Sequence, residues 1–167
     1  MPPVVCIVGR SNVGKTALVV GLVGELKRRG YRVATVKHSP AGFDIDQREK
    51  DSWRHLHAGS DAVVLSSSTM LALIRRQEHD ASLEEVVSLL GNDFDIVLAE
   101  GYKAADAPKV EVMGSHANSG AEEPPRGLIA TVADTPSSGR VPHFSPGDIA
   151  PLADLIERTV MKKGSSR

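Results

Sequence analysis

The sequence predicts an α/β fold, a mostly parallel central sheet flanked by helices, and three observations carry that expectation. First, short apolar, β-branched runs recur along the 167 residues, at Val4 to Val8, Tyr31 to Val36, Asp61 to Ser66, Asp95 to Gly101 and Leu128 to Ala133. Runs of this length without polar alternation suit strands buried on both faces. Second, stretches with helical spacing separate several of them, the clearest being Leu18, Leu22 and Leu26 after the first run. Third, that first run leads directly into Gly9-Arg10-Ser11-Asn12-Val13-Gly14-Lys15-Thr16, which fits G-x-x-x-x-G-K-[ST] between a strand and a helix. Strands alternating with helices close into a parallel sheet.

The glycine-bounded octapeptide is a phosphate-binding loop, so the expected fold is that of a P-loop NTPase. Glycines let the backbone wrap a phosphate closely, and successive N–H groups turned inward make an anion nest. The helix that follows adds its positive end. The residues expected to hold nucleotide are Gly9, Arg10, Ser11, Asn12, Val13, Gly14, Lys15, Thr16 and Ala17 in the first turn. Lys15 would neutralise the β- and γ-phosphates, and the Thr16 hydroxyl would ligate Mg²⁺.

The first helix is expected over Ala17 to Arg29, closed by Gly30, and the second strand over Tyr31 to Val36. Phe43-Asp44-Ile45-Asp46 reads as extended chain or loop, and a helix is expected over Arg48 to Ala58 before Gly59. Asp61 to Ser66 reads as a third buried strand and Met70 to Ile74 as another. Ser82, with Glu85 three positions on, opens a helix through a capping box. Asp95 to Gly101, Lys109 to Met113, Leu128 to Ala133 and Val141 to Phe144 complete the strands, and Pro146 to Met161 is the closing helix. Gly114 to Gly127 is the candidate mobile loop. Residues 1–161 are expected to form a single domain, with a frayed tail over 162–167.

In such a sheet, ligands bind where the C-terminal strand ends converge. The loops Gly9 to Thr16, Lys37 to Asp46, Ser66 to Thr69 and Glu100 to Lys103, together with Asp134, are therefore expected on one edge. Glu100 ends an apolar run where a P-loop protein places an acid to hold Mg²⁺ or orient water; the alternative is an acid capping a loop. Lys37 either reaches a phosphate or sits exposed before a turn. Asp44 and Asp46, two apart on extended chain, would share a side, and one of them, Asp46 being the candidate, could complete a metal or water shell; the alternative is a solvated acidic loop. Asp95, at the other end of the Glu100 strand, is expected to be structural.

Composition excludes several classes. The net charge of −1 leaves no basic field for nucleic acid or an anionic membrane, and 4% aromatics make no stacking platform for bases. Cys6, the one cysteine, excludes intrachain disulfides, and the six histidines are scattered, so no zinc constellation is visible. Neither a signal peptide nor an 18-residue apolar run is present, and the expected location is the cytoplasm.

The loop alone resembles that of Era-type GTPases, but their Asp-x-x-Gly switch and Asn-Lys-x-Asp guanine motif are missing. A longer likeness runs through Val36-Lys37-His38, Phe43-Asp44-Ile45-Asp46 and Lys50-Asp51-Ser52-Trp53-Arg54 with Ala58-Gly59. It continues in Asp95 to Lys103, Pro108 to Val112 and Ile129 to Asp134. In this order, over roughly residues 3–135, the segments resemble the molybdopterin-guanine dinucleotide biosynthesis protein B (MobB) family. Two departures stand out: Ser39-Pro40-Ala41-Gly42 where the family often has further histidines, and Glu49 where it usually has glycine.

The resemblance implies a GTP-binding, weakly hydrolysing accessory protein, typically a homodimer. It would work with the nucleotidyltransferase that joins GMP to molybdenum-bound molybdopterin, and with molybdopterin itself as a further candidate ligand. Asp134 would then select guanine by accepting from its N1–H and N2 amine; the alternative is a turn begun with Thr135-Pro136. The competing reading is a small-molecule kinase of the same fold, for which the sequence identifies no substrate base. A metallochaperone GTPase would want a His- or Cys-rich run, which is absent.

Overall fold

The structure is a computed structural model describing residues 1–43, 46, 48–114, 123–135 and 141–161. These separate into two compact units: Met1–His38 with Ser82–Arg167, and Ser39–Ala81.

The larger unit is built on six strands: β1 (Val4–Val8), β2 (Val33–Lys37), β5 (Ile96–Glu100), β6 (Lys109–Val112), β7 (Leu128–Val132) and β8 (His143–Phe144). All pair in parallel, in the order β2-β5-β1-β6-β7-β8. β1 is interior and buried on both faces, which is why it reads as an unbroken apolar run. Val5 and Ile7 pack on one face with Leu18, Leu22 and Leu26 of α1 (Lys15–Arg28) and with Leu152 and Ile156 of α4 (Ile149–Ile156). Cys6 and Val8 pack on the other face with Leu83 and Val87 of α3 (Leu83–Ser88). Burial pushes the Cys6 thiol above its ordinary pKa, with the Lys109 charge acting the other way.

α3 opens as expected, with the Ser82 hydroxyl accepting from the Glu85 amide and the Glu85 carboxylate accepting from the Ser82 amide. α4 runs on as a π turn over Glu157–Met161. α1 and α4 are tied by Arg29, whose guanidinium donates to Glu25 at 2.8 Å, Asp154 at 2.6 Å and the Ala150 carbonyl at 3.0 Å. Arg28 and Arg29 together hold the Glu25 carboxyl down to about 2. Asp95 is structural: its carboxylate and its amide bond the Arg32 amide and carbonyl at 2.6 and 2.8 Å.

The smaller unit corrects two expectations. β3 (Ala62–Ser66) and β4 (Leu71–Arg75) form a separate antiparallel hairpin, closed by the Ser67 amide on the Met70 carbonyl. Of β3 only Val63 is buried, so this is not a third buried strand of the parallel sheet, and Ser66 to Thr69 is a hairpin turn instead of a sheet-edge loop. An apolar run by itself does not distinguish the two situations. The helix expected from Arg48 begins instead at Asp51, as α2 (Asp51–His57). Glu49 takes φ +69, a left-handed conformation that a helix cannot include. Asp44 and most of Gly114 to Gly127, like the tail 162–167, lie outside the described residues.

Glu49 is exposed and stands where the family usually has glycine. A left-handed non-glycine residue costs about 1–2 kcal/mol, against which glycine's unfolded-state freedom returns roughly 0.5–1. Glu49→Gly is therefore expected to stabilise the chain by about 0.5–1 kcal/mol, and Glu49→Ala to gain nothing. Denaturant unfolding of both variants checks this; equal effects would mean that backbone strain is not what separates them.

Candidate functional site

The turn out of β1 shows why this loop needs its glycines. Gly9 takes φ +143, Asn12 φ +61 and Gly14 φ +98. Repeated excursions to positive φ turn successive amides to one side, the geometry of an anion nest. Asn12 is among the few side-chain-bearing residues that tolerate the left-handed region. At Gly9 there is no alternative, since a Cβ would lie 2.2 Å from the Val112 carbonyl oxygen. Arg10, Ser11 and Val13 fill the rest of the loop, and Lys15, Thr16 and Ala17 form the first turn of α1.

That helix begins at Gly14 with no side-chain cap and no acid in its first turn. Its first amides are thus left for an anion, which the helix dipole favours. The Lys15 ammonium donates to the Arg10 carbonyl at 2.5 Å, spanning the loop it is expected to neutralise.

Pairing across three strands supplies the rest. Ile7 at the end of β1 lies opposite Glu100, and Glu100 opposite Lys37. The Thr16 hydroxyl sits 3.0 Å from both carboxylate oxygens of Glu100. Lys37 Nζ is 3.8 Å from Glu100 Oε1 and its side chain is largely exposed, so the ion pair itself is weak. What the Thr16–Glu100 contact can do is hold a hard cation. Two neighbouring oxygen ligands of octahedral Mg²⁺, each at 2.0–2.1 Å, lie about 2.9 Å apart. At 3.0 Å the two groups are hydrogen-bonded to each other, and Thr16 and Glu100 are the residues that could hold such an ion.

Asp134 follows β7, two strands from β1, and is exposed. This is about 10 Å along the sheet at ordinary strand spacing. Asp46 belongs to the smaller unit, where its Oδ1 accepts from Ser52 Oγ at 3.0 Å. Its Oδ2 is buried with no hydrogen-bond partner among the described residues. Among those residues no cluster of three His, Cys, Asp or Glu side chains could hold a metal.

Sequence reasoning missed one arrangement here. The Tyr102 ring, just beyond Glu100, stacks on His38 with centroids 4.6 Å apart and planes 27° apart. Both residues lie in segments the sequence singles out, but only the β2–β5 register brings them together.

Comparison with known proteins agrees with this architecture. Residues 4–134 match the family described as Molybdopterin guanine dinucleotide synthesis protein B, MobB. The chain belongs to the MobB family. It is 36% identical over 109 residues to the molybdopterin-guanine dinucleotide biosynthesis adapter protein of Haemophilus influenzae, an alignment covering 65% of this chain and 61% of that protein. To the protein of the same name from Escherichia coli it is 28% identical over 168 residues, 98% of this chain and 96% of the other. A crystal structure of MobB from Bacillus subtilis superposes with a TM-score of 0.76 at 24% identity, over 95% of this chain and 98% of that one. Another, of molybdopterin-guanine biosynthesis protein B, gives 0.72 at 29% identity, over 93% and 97%. The fold is that of a P-loop NTPase, as these MobB structures have it.

Gly9→Ala combines a disfavoured φ with a clash against backbone, and is expected to cost at least about 3 kcal/mol of stability. Gly24→Ala, on the exposed side of α1 with open space around it, should instead gain about 0.5–1 kcal/mol. Thermal or denaturant unfolding of the two variants measures both; a tolerated Gly9→Ala would mean that the loop does not make this approach to Val112.

Proposed function

We propose that the chain is a GTP-binding adapter in molybdopterin guanine dinucleotide biosynthesis, with slow Mg²⁺-dependent hydrolysis, acting in the cytoplasm as a homodimer. The observation that carries the reading is the Thr16 hydroxyl held on the Glu100 carboxylate at the mouth of the phosphate loop. The adapter role rests on the names of the relatives in Haemophilus influenzae and Escherichia coli. Its partners would be the nucleotidyltransferase of that pathway and molybdopterin. In support of self-association, the hairpin of the smaller unit leaves Val64 59%, Met70 73% and Leu71 72% exposed, and a lone two-stranded hairpin is marginal without a cover.

In this reading the loop amides and the α1 N-terminus grip the β-phosphate, and Lys15 leaves the Arg10 carbonyl to neutralise the β- and γ-oxygens. Mg²⁺, when bound, would offset charge developing on the phosphoryl oxygens. Thr16 and Glu100 orient that ion, while Lys37 adds a positive charge on the far side of Glu100. No side chain is assigned as a base for the attacking water, which accords with slow turnover.

Lys15→Ala is expected to abolish measurable GTP binding with the fold intact by circular dichroism. Glu100→Gln should lower hydrolysis and weaken Mg²⁺ affinity by roughly 10–100-fold, so that more Mg²⁺ is needed, while leaving Mg²⁺-free nucleotide affinity near wild type. Calorimetric titration and phosphate release follow both. Unchanged binding in the lysine variant would remove the loop from the mechanism, and unchanged Mg²⁺ dependence in the glutamine variant would remove Glu100.

Base choice is tested at Asp134. A carboxylate paired to guanine N1–H and N2 rejects adenine, because its acceptors would stay unpaired. Asp134→Asn should weaken GTP and improve XTP, whose base carries an acceptor where guanine has its amine. Competition among GTP, ATP and XTP on both proteins decides it. The same preference in wild type and variant would assign Asp134 to the turn.

A further inference from the structure

Just beyond Glu100 lies a strained turn that the phosphate site does not itself require. The Lys37–Glu100 pairing sets His38 beside Gly101, and the His38 amide donates to the Glu100 carbonyl at 3.0 Å. The Gly101 amide donates to the Ile7 carbonyl, also at 3.0 Å, tying the turn to the strand that feeds the phosphate loop. Gly101 and Tyr102 then both adopt left-handed conformations, φ +102 and φ +56. Glycine is suited to the first position, where a Cβ would lie 3.0 Å from that of His38.

Tyrosine is not suited to the second. It lacks the short polar side chain with which Asn and Asp bond back locally in this region. Strained residues of this kind persist only where their surroundings hold them, and they concentrate at functional sites. Several contacts hold Tyr102: its carbonyl accepts from the Ala105 amide at 3.0 Å, while its ring lies on the His38 imidazole and packs partly buried against the core face of Cys6 and Val8.

We propose that the His38–Tyr102 stack is a positioning clamp for Glu100, locking the left-handed turn so that the Glu100 carboxylate stays on the Thr16 hydroxyl. The clamp acts through Glu100 and touches no substrate. It rests on the Mg²⁺-nucleotide reading of the site for its functional consequence, but not for its structural one. The strand end is held from two sides: by backbone bonds to β1 and β2, and by the ring that prevents Tyr102 from relaxing to negative φ. Without the ring the chain after Glu100 is free to turn differently, and the carboxylate loses its fixed direction. A tyrosine that merely fills the core would affect global stability and leave the Mg²⁺ requirement alone.

The test uses the full chain with Tyr102→Gly, Tyr102→Phe and His38→Ala. Tyr102→Gly relieves the backbone while removing the ring, so fold retention is built into it. Amide hydrogen exchange is read first, without nucleotide. The His38 and Gly101 amides are expected to exchange roughly tenfold faster in Tyr102→Gly and His38→Ala, with those of Val97 and Leu98 unaltered and Tyr102→Phe matching wild type. The Mg²⁺ concentration for half-maximal GTP hydrolysis is read second. It should rise roughly tenfold or more in the same two variants, as for loss of an outer-shell partner, with GTP affinity in EDTA unchanged.

Unaltered exchange at His38 and Gly101 would overturn the clamp, and so would faster exchange with an unaltered Mg²⁺ requirement. Loss in Tyr102→Phe equal to that in Tyr102→Gly would place the effect on the hydroxyl and overturn the stack as its cause. A wild-type chain that binds no GTP would defeat the nucleotide reading instead, and the exchange measurement alone would then decide the clamp.

Discussion

Everything at the site depends on one row of the sheet, in which Lys37, Glu100 and Ile7 lie side by side across β2, β5 and β1. β1 leaves that row within two residues to form the phosphate loop, while Glu100 is the last residue of its strand. A slip of one residue in the β1–β5 register would turn the Glu100 side chain to the opposite face of the sheet. The register is secured by burial, because Val5 and Ile7 on one face and Cys6 and Val8 on the other are all fully or almost fully buried. Any slip would have to exchange two packed faces at once. The apolar core thus fixes, at a distance, the 3.0 Å between a hydroxyl and a carboxylate at the sheet's edge.

The electrostatics of that edge are local. The protein as a whole carries a net charge of −1 and draws no anion by its total field. Attraction for the proposed nucleotide would have to come from the nest amides, the uncapped start of α1, and Lys15. Against these stands one carboxylate, Glu100, which a cation-free site would have reason to avoid. Part of its charge is met within the site, where the Thr16 hydroxyl donates to the carboxylate at 3.0 Å. The largely exposed Lys37 at 3.8 Å offsets a small part of the same charge without competing closely for the oxygens.

The legible parts of the sequence were those where local chemistry has a single solution. The phosphate loop needs glycines at fixed positions and an asparagine-tolerant turn between them, and the residues say so directly. β1 and β5 announce themselves because strands covered on both faces cannot carry polar side chains. The capping box at Ser82 and Glu85 is likewise local. Both β3 and β4 are strands as the sequence predicts, but Ala62-Val63-Val64-Leu65 has the composition of a buried strand and yet lies in a hairpin whose residues are mostly exposed. Nothing within ten residues says which sheet a strand joins. In the sequence Glu49 stands out only as a departure from the family pattern, and its physical meaning, a left-handed φ, emerges from the backbone alone. The His38–Tyr102 stack was out of reach for a third reason. Its partners lie 64 positions apart and meet through a register that neither segment encodes.

Placement of strain follows the same logic. Asn12 and Tyr102 are both non-glycine residues at positive φ within reach of the strand ends, one inside the phosphate loop and one beyond Glu100. Asn12 occupies a conformation its side chain tolerates, so the loop can form from local preference alone. Tyr102 does not, and its backbone is held by packing against His38 and the core beneath. The phosphate side of the site is therefore preorganised by the sequence of the loop itself, whereas the carboxylate side is preorganised by tertiary contacts. If the site holds nucleotide and Mg²⁺ as proposed, a site divided in this way would keep its grip on phosphate through mutations that loosen the metal. In the proposed reading, phosphate would draw on the loop amides and Lys15, all within one local segment, whereas a cation would draw on Thr16 and on Glu100 from two different elements.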